Sequence, residues 1–507
     1  MIYYLKIQKT AKQLTFISLG ALFLGHLMEP PIILLNIVGI LLVSIFVFYY
    51  TLRNNDVFSF IMVIYFCSLF KYLSDYGGGF NLIAFFSIML FIAIKHQLPF
   101  NSNFNNKWLN GFIVILVSSS ILGWFTNYAG NNLHLIFSVL SFCGVISILF
   151  VSSRLQITRN RIIIFLQLNF VLIIYSTIAS LNKYLKIITF QTPMMPIYGS
   201  DNGSYIEGGG IIGSSPLYGE HSMILVLLFA VFLILGEKKF GNNRMLLMGV
   251  FISLLNVFMS ISRSVFILSL IGLIMIYIFQ FRITTFNLAK SIKQIVLIGL
   301  FGIVTLISIE YSGLGYVFNR VEEYKENNND AGGSAISKII DGSAFGRKES
   351  FDLAYERYAS KKNWIIGYGW GTREENRIAF YVDTKIEQDS VHTQIFAVLF
   401  LFGWLGFIAY LLLYFWIILK SYAFTGLNPK GMISNRLFAF FSMIMLIMFL
   451  LNEIKADSIS FQSYFGSTII FLGLAYANLN SLRNFSNHSN YVKNRENKQL
   501  KFTRFPI

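Results

Sequence analysis

Unbroken apolar runs of roughly 16 to 25 residues recur along this chain and limit its fold more than any other feature. A helix of about 20 apolar residues is long enough to cross the hydrocarbon core of a bilayer. Lipid offers the backbone no hydrogen-bonding partner, so a spanning chain must form helices or a closed barrel. Continuous apolar runs do not fit the alternating pattern of a barrel. The sequence therefore predicts an all-α polytopic membrane protein.

Composition supports a membrane protein, because 55% of the 507 residues are hydrophobic and only 13% are charged. Soluble domains are about a quarter charged. We predict about fourteen transmembrane helices. They are expected near 11–28, 31–50, 57–73, 79–95, 109–126, 132–152, 161–181, 219–236, 244–260, 263–281, 293–311, 391–419, 433–452 and 463–478.

The distribution of charge predicts the orientation of these spans. With both termini in the cytoplasm, the inner segments hold 24 Lys and Arg against 3 Asp and Glu, and the outer segments hold 16 against 21. Inner loops rich in Lys and Arg are the established marker of the cytoplasmic side. The net charge of +16 therefore reflects membrane topology, and nucleic-acid binding is not needed to explain it.

Four regions follow from this topology. Residues 1–311 hold the first eleven spans, with a smaller outer loop at 182–218, and residues 312–390 form a large outer loop. Residues 391–478 hold the last three spans, and residues 479–507 form a basic cytoplasmic tail. Loops beyond about 15 residues are usually functional or disordered, so the large loop is a candidate functional element.

The large outer loop is not uniform in composition. Its 326–343 stretch is rich in Asn, Gly and Ser, whereas 345–364 has apolar residues at helical spacing and predicts a short amphipathic helix. Aromatic residues in the loop, such as Tyr368 and Trp370, could stack on sugar rings. We interpret the loop as a mobile cover that this helix tethers to the membrane surface.

Several short motifs follow one another in a fixed order and on one predicted side of the membrane. They are Ser262-Arg263-Ser264, Gly346-Arg347, Trp364-Ile365-Ile366-Gly367-Tyr368-Gly369-Trp370-Gly371, Val391-His392-Thr393-Gln394 and Gly403-Trp404-Leu405-Gly406. Over roughly residues 245–420 this order resembles the O-antigen ligase and polymerase superfamily. The resemblance implies a GT-C-like helix bundle with one large extracytoplasmic loop.

The resemblance also implies a function. A polymerase of this superfamily transfers a growing glycan from undecaprenyl pyrophosphate to a new carrier-linked repeat unit, at the outer face of the bacterial inner membrane. The product would be an O-antigen or capsular polysaccharide. Its expected partners are carrier-linked glycans, membrane lipid and a chain-length regulator, and no cofactor is expected. The sequence has His392-Thr393 where the family usually has His-Asn, a departure that fits the more divergent polymerases better than the ligases.

Arginine suits the binding of a leaving pyrophosphate, because its guanidinium is always charged and meets phosphate oxygens in a fork. Arg263, Arg347 and Arg357 are the candidates for this role. Arg263 lies at a predicted membrane boundary, where charge is expensive and usually functional. Arg263 could instead extend its side chain to the lipid headgroups without taking part in catalysis. Arg347 and Arg357 could be ordinary surface arginines in contact with solvent.

The attacking sugar hydroxyl must lose a proton, and two residues are candidates to accept it. His392 opens the twelfth predicted span on the outer side, and its resemblance to the ligase histidine implies a base. Glu220 begins the eighth span on the same side, next to His221, and is the second candidate. Either residue could instead be an ordinary interfacial side chain. No HxxxH or HExxH spacing occurs, so we predict no metal site.

Two other functions remain open. A ligase, which transfers the glycan to lipid A-core or to protein, shares the same motifs. A lipid-linked oligosaccharide flippase is a transporter with a similar number of spans. Flippases of that class have two similar halves, short outer loops and charges within their spans. This chain shows no internal repeat and has its long loop in one half only.

Overall fold

The computed structural model describes eleven helices, most of which coincide with predicted spans. Its described residues are 15–23, 57–70, 107–127, 132–185, 215–236, 243–260, 263–280, 365–370, 394–426, 432–453 and 467–483, with single residues 13, 45, 212, 283 and 299. The helices are α1 (15–23), α2 (Val57–Leu69), α3 (Lys107–Asn127), α4 (Asn132–Ser152), α5 (Arg159–Leu185), α6 (Ser215–Leu235), α7 (Asn243–Met259), α8 (Arg263–Phe279), α9 (Gln394–Thr425), α10 (Ile433–Glu453) and α11 (467–483).

The all-α polytopic membrane fold predicted from the apolar runs is confirmed. By length and composition, α3, α5, α6, α9 and α10 can each cross a membrane, and no strand occurs within the described ranges. The count of fourteen spans stays a prediction. The spans expected at 31–50, 79–95 and 293–311, the helix expected at 345–364 and the basic tail at 479–507 lie almost wholly outside the described residues.

The outward faces of the bundle are apolar, as lipid contact requires. On α9 the exposed side chains Leu405, Ile408, Leu412, Phe415 and Leu419 follow one another at intervals of three and four residues. This spacing places them on one face of a helix. An apolar stripe of this length facing outward is an interaction surface, and in a chain of this composition the partner is lipid.

Helix α6 lies at the centre of the described bundle. Every residue from 217 to 232 is buried, and α6 packs against α5, α7, α8 and α10. A helix that is apolar on all sides must be enclosed by protein or by lipid. The exceptions to its apolar character, Glu220, His221 and Ser222, all fall in its first two turns. These polar groups therefore lie inside the protein, near one end of the bundle.

A reciprocal pair of asparagines fixes the other end of the bundle. The Asn435 amide donates to the Asn478 side-chain oxygen at 2.9 Å and to the Ile157 carbonyl at 2.8 Å, and the Asn478 amide returns a bond to the Asn435 carbonyl at 2.8 Å. Both side chains are buried. They join α10 and α11 to the connection between α4 and α5, which the predicted topology places on the cytoplasmic side.

Replacing Asn435 with Leu should lower the stability of the folded protein. The change leaves the Ile157 carbonyl and the Asn478 side-chain oxygen buried without this donor, which costs about 1–3 kcal/mol. Thermal unfolding in detergent measures the effect as a lower midpoint. The matched control is Asn110→Leu on the exposed side of α3. Equal midpoints for the two variants would contradict the structural role of the pair.

Candidate functional site

Helix α9 is broken at Gly403, and residues 365–370, from the predicted large loop, occupy the break. Gly403 has φ 66° and ψ −173°, a backbone conformation that is essentially confined to glycine. The break lies nine residues after the first described residue of α9, Gln394. The loop residues 365–370, which we call the inserted segment, pack between α9 and α3.

The inserted segment replaces the helical hydrogen bond that the break removes. In a continuous helix the Leu405 N–H would donate to the Leu401 carbonyl, four residues earlier. Here the Gly369 N–H donates to the Leu401 carbonyl at 2.9 Å, and the Leu405 N–H donates to the Ile365 carbonyl at 3.4 Å. Both groups of the broken bond therefore keep a partner. Non-helical backbone at membrane depth is tolerated only under this condition.

Glycine is required on both sides of this contact. A side chain at Gly403 would collide with the Ile365 carbonyl oxygen. A Cβ at Gly367, which has φ 82°, would lie 2.6 Å from the Leu401 carbonyl oxygen. The glycines of two motifs that are far apart in the sequence thus meet in one contact.

Aromatic side chains hold the inserted segment against α3 and α4. The Trp124 indole N–H donates to the Trp370 carbonyl at 2.8 Å, and the Trp370 indole N–H donates to the Ser141 hydroxyl at 3.3 Å. The Trp370 ring lies 5.9 Å from the ring of Phe142 and 6.1 Å from that of Phe402, between centroids. Trp370 is only 1% exposed.

These contacts correct two sequence interpretations. Trp370 is packed inside the protein, so it is not a surface for stacking on sugar. Residues 365–370 are not part of a mobile cover, because they pack against α3, α4 and α9.

The structure places Glu220 inside the bundle. Helix α6 begins at Ser215, four residues earlier than the predicted span, so Glu220 falls in its second turn and is 1% exposed. The Asn452 amide, at the end of α10, donates a hydrogen bond to the Glu220 carboxyl. An isolated charge at this depth would be costly, and this bond partly compensates for its burial.

The predicted topology places the first residue of α8, Arg263, near the level of Glu220. In that topology the single span α7 lies between α6 and α8, so α6 and α8 run in the same direction. Gly272 of α8 packs against Leu227 of α6. Arg263 lies nine residues before Gly272, and Tyr218 lies nine residues before Leu227. Since rise per residue is uniform along a helix, the first residue of α8 is level with Tyr218, two residues before Glu220.

Sequence reasoning placed His221 next to Glu220 but missed its buried partners, Tyr65 and Asn169. The Tyr65 hydroxyl of α2 lies 2.9 Å from the Asn169 side-chain oxygen of α5 and 3.0 Å from His221 Nε2 of α6. All three residues are buried. The only sequence signal was that polar side chains are rare within apolar runs, and polar residues at such positions in membrane proteins are often functional.

The remaining candidates lie outside the described residues. They are the side chain of Arg263 and the whole of Arg347, Arg357 and His392. Their roles stay predictions. In the part of the chain that the structure describes, no group of three His, Cys, Asp or Glu residues could hold a metal ion.

Replacing Gly403 with Ala should release the inserted segment. The backbone conformation excludes a side chain at a cost of about 1–3 kcal/mol, and the collision with Ile365 adds to it. Hydrogen exchange at the Gly369 amide should therefore accelerate by about tenfold or more. Mass spectrometry of a peptide covering 365–370 measures this rate. The control is Gly111→Ala on α3, where an added Cβ meets open space.

Unchanged exchange at Gly369 in the Gly403→Ala protein would refute this account of the break. Faster exchange in the Gly111→Ala protein as well would indicate general loosening of α3.

Comparison with known proteins gives one family match. Residues 248–411 match the family model described as O-antigen ligase. The matched range holds most of α7, all of α8, the inserted segment and the broken first part of α9, so it includes both sides of the glycine contact. No curated protein matches the chain.

Proposed function

We propose that this chain, which residues 248–411 place in the O-antigen ligase/polymerase superfamily, polymerises glycan repeat units linked to undecaprenyl pyrophosphate. The superfamily predicted from the motif order is confirmed, and its members are membrane glycosyltransferase-like enzymes of polysaccharide biosynthesis. Polymerisation, the lipid pyrophosphate donor and the outer face of the bacterial inner membrane belong to our proposal. A chain-length regulator is its proposed protein partner.

The proposed reaction exchanges one bond at the anomeric carbon. The bond between that carbon and the pyrophosphate oxygen breaks, and its electron pair leaves with undecaprenyl pyrophosphate. A bond forms between the same carbon and the hydroxyl oxygen of a new carrier-linked unit. The hydroxyl proton passes to a base of the protein. Stabilisation of the departing charge should be the largest contribution to the rate.

Three arginines are proposed to bind the two lipid pyrophosphates. Arg263 is the first residue of α8 and is level with the polar turns of α6, which supports its place in the site. Arg347 and Arg357 both fall within the predicted helix at 345–364 of the large loop. The inserted segment begins eight residues after Arg357 and is fastened to the bundle, which supports a position for these arginines near the bundle.

Glu220 and His392 are proposed to orient the acceptor hydroxyl and accept its proton. Glu220 lies on the central helix with its carboxyl held by Asn452, so its position is defined by packing and by a hydrogen bond. His392 precedes the first described residue of α9 by two positions. A positioned base of this kind contributes about 100- to 10,000-fold to a rate.

Ligation is the second candidate function, because the matching family model carries that description. The two activities differ in the acceptor. A polymerase needs only carrier-linked repeat units and yields products of many lengths. A ligase needs lipid A-core or a protein acceptor, and it transfers a carrier-linked glycan to that acceptor without lengthening it. The two reactions share their donor and their leaving group, so the acceptor decides between them.

The purified protein in lipid nanodiscs, supplied with carrier-linked repeat units from a strain that lacks this gene, tests the proposal. We expect a ladder of glycans on a gel without any other acceptor. No ladder, combined with transfer of single units to added lipid A-core, would establish ligation and refute polymerisation. No transfer under either condition would refute both activities.

Replacing Glu220 with Gln should lower kcat for polymerisation by about 100-fold or more, because the amide cannot accept a proton. The amide oxygen of Gln can still receive the hydrogen bond from Asn452, so the fold should be retained. Steady-state rates and thermal unfolding measured on the same preparation separate activity from stability. The control is Arg159→Ala, an exposed cation at the start of α5.

A wild-type kcat in the Glu220→Gln protein would show that Glu220 does not take part in the reaction. In that case Glu220 would be a structural residue of the bundle.

A further inference from the structure

A chain of hydrogen bonds links three helices inside the bundle beside Glu220. Tyr65 of α2 contacts Asn169 of α5 and His221 of α6, and the three residues are 0%, 0% and 2% exposed. The Tyr65 ring is packed edge-on against Phe471, with centroids 5.4 Å apart. The hydroxyl is therefore held in place by packing as well as by hydrogen bonds.

The contacts of Asn169 determine which group donates and which accepts in each of these hydrogen bonds. The Asn169 side-chain NH₂ donates to the Phe165 carbonyl at 2.9 Å, one turn earlier in α5. A carbonyl only accepts, so this contact identifies the amide nitrogen and leaves the Asn169 oxygen facing Tyr65. The Tyr65 hydroxyl has one proton, and it donates this proton to that oxygen at 2.9 Å.

The same logic determines the tautomer of His221. The Tyr65 oxygen has given its proton to Asn169, so it can only accept from His221 Nε2, 3.0 Å away. Nε2 must then carry a hydrogen. In a neutral imidazole one ring nitrogen carries the hydrogen and the other carries a lone pair. Nδ1 of His221 is therefore the atom with the lone pair.

We propose that His221 is a second proton acceptor of the glycosyl-transfer site, acting through Nδ1, and that Tyr65 and Asn169 position it. The inference rests on the proposed polymerase function. His221 directly follows Glu220, and the two are held by different helices, by α2 through Tyr65 and by α10 through Asn452. The proton that leaves the acceptor hydroxyl as the new glycosidic bond forms would pass to Nδ1.

The hydrogen bond between His221 and Tyr65 supplies the positioning that a base needs. A hydrogen bond to one ring nitrogen selects which nitrogen accepts the proton, and it also fixes the orientation of the ring. Burial excludes water that would compete for the proton. Glu220 and His221 both lie outside the matched residues 248–411, so this part of the site would come from the first half of the chain.

Nitrogen-15 NMR of histidine in the full-length protein in nanodiscs tests the tautomer directly. The His221 signal is identified by its loss in the His221→Gln protein. We expect a protonated Nε2 and an unprotonated Nδ1 at neutral pH. In the Tyr65→Phe protein this preference should be lost, because Nε2 has lost its acceptor. A protonated Nδ1 in the unaltered protein would overturn the inference whatever the activity.

Rates of polymerisation test the proton-accepting role. His221→Gln keeps an N–H donor for Tyr65 and removes Nδ1, so kcat should fall by about 100-fold while KM changes by less than about threefold. Tyr65→Phe should lower kcat by about tenfold, because the ring is no longer fixed. The matched control is Tyr410→Phe, which removes another buried tyrosine hydroxyl, bonded at 2.8 Å to Tyr414.

Each outcome has a defined meaning. Wild-type kcat in a folded His221→Gln protein would overturn the proton-accepting role even if the tautomer is as expected. An equal loss of kcat in the Tyr410→Phe protein would overturn the positioning role of Tyr65, because any buried hydroxyl would then have the same effect. If the unaltered protein makes no glycan ladder, the proposed function fails and the role of His221 fails with it, whereas the NMR result stands separately.

Discussion

Every backbone group inside a bilayer needs a hydrogen-bonding partner from the protein, and the rest of this structure depends on how α9 meets that requirement. Helix α9 departs from helical geometry at Gly403, and residues 365–370 supply the two partners that the break removes. A loop segment predicted to lie over the membrane surface is thus part of the transmembrane bundle. Its removal would leave the Leu401 carbonyl and the Leu405 N–H without these partners, and the cost of two unsatisfied backbone groups holds the segment in place.

The fixed segment changes how the site can be assembled. The predicted helix at 345–364 and the arginines Arg347 and Arg357 precede the anchor, and His392 follows it by about twenty residues. Along the sequence, the inserted segment therefore separates Arg347 and Arg357 from His392. Helix α6 presents Glu220 and His221 from the centre of the bundle, and the two residues are held by α10 and α2. The proposed site combines the matched region with helices that precede it.

The hydropathy pattern along the sequence was sufficient to predict the helices. The apolar runs placed α3, α4, α7 and α10 within a few residues of their observed bounds, because burial in lipid is read directly from hydropathy. The break at Gly403 could not be predicted in the same way. The segment that packs into the break, residues 365–370, lies more than thirty residues earlier in the sequence. The only sequence feature that suggested close contact was the glycines in both the 364–371 motif and the 403–406 motif.

The candidate site was predictable in part. Glu220 was selected because a carboxylate at the end of an apolar span is rare, and the structure adds its partner Asn452. Tyr65 and Asn169 were missed, because tyrosine and asparagine within apolar runs carry no pattern that pairs them across about a hundred residues. Their meaning comes from the direction of the hydrogen bonds, which only a three-dimensional arrangement defines.

A cryo-electron microscopy structure of the protein in lipid nanodiscs would show whether the inserted segment completes the broken helix. We predict that α9 will be interrupted at Gly403, with the Gly369 amide nitrogen within hydrogen-bonding distance of the Leu401 carbonyl oxygen. A continuous helix through Gly403, with the Leu405 amide bonded to the Leu401 carbonyl and residues 365–370 away from the bundle, would contradict it.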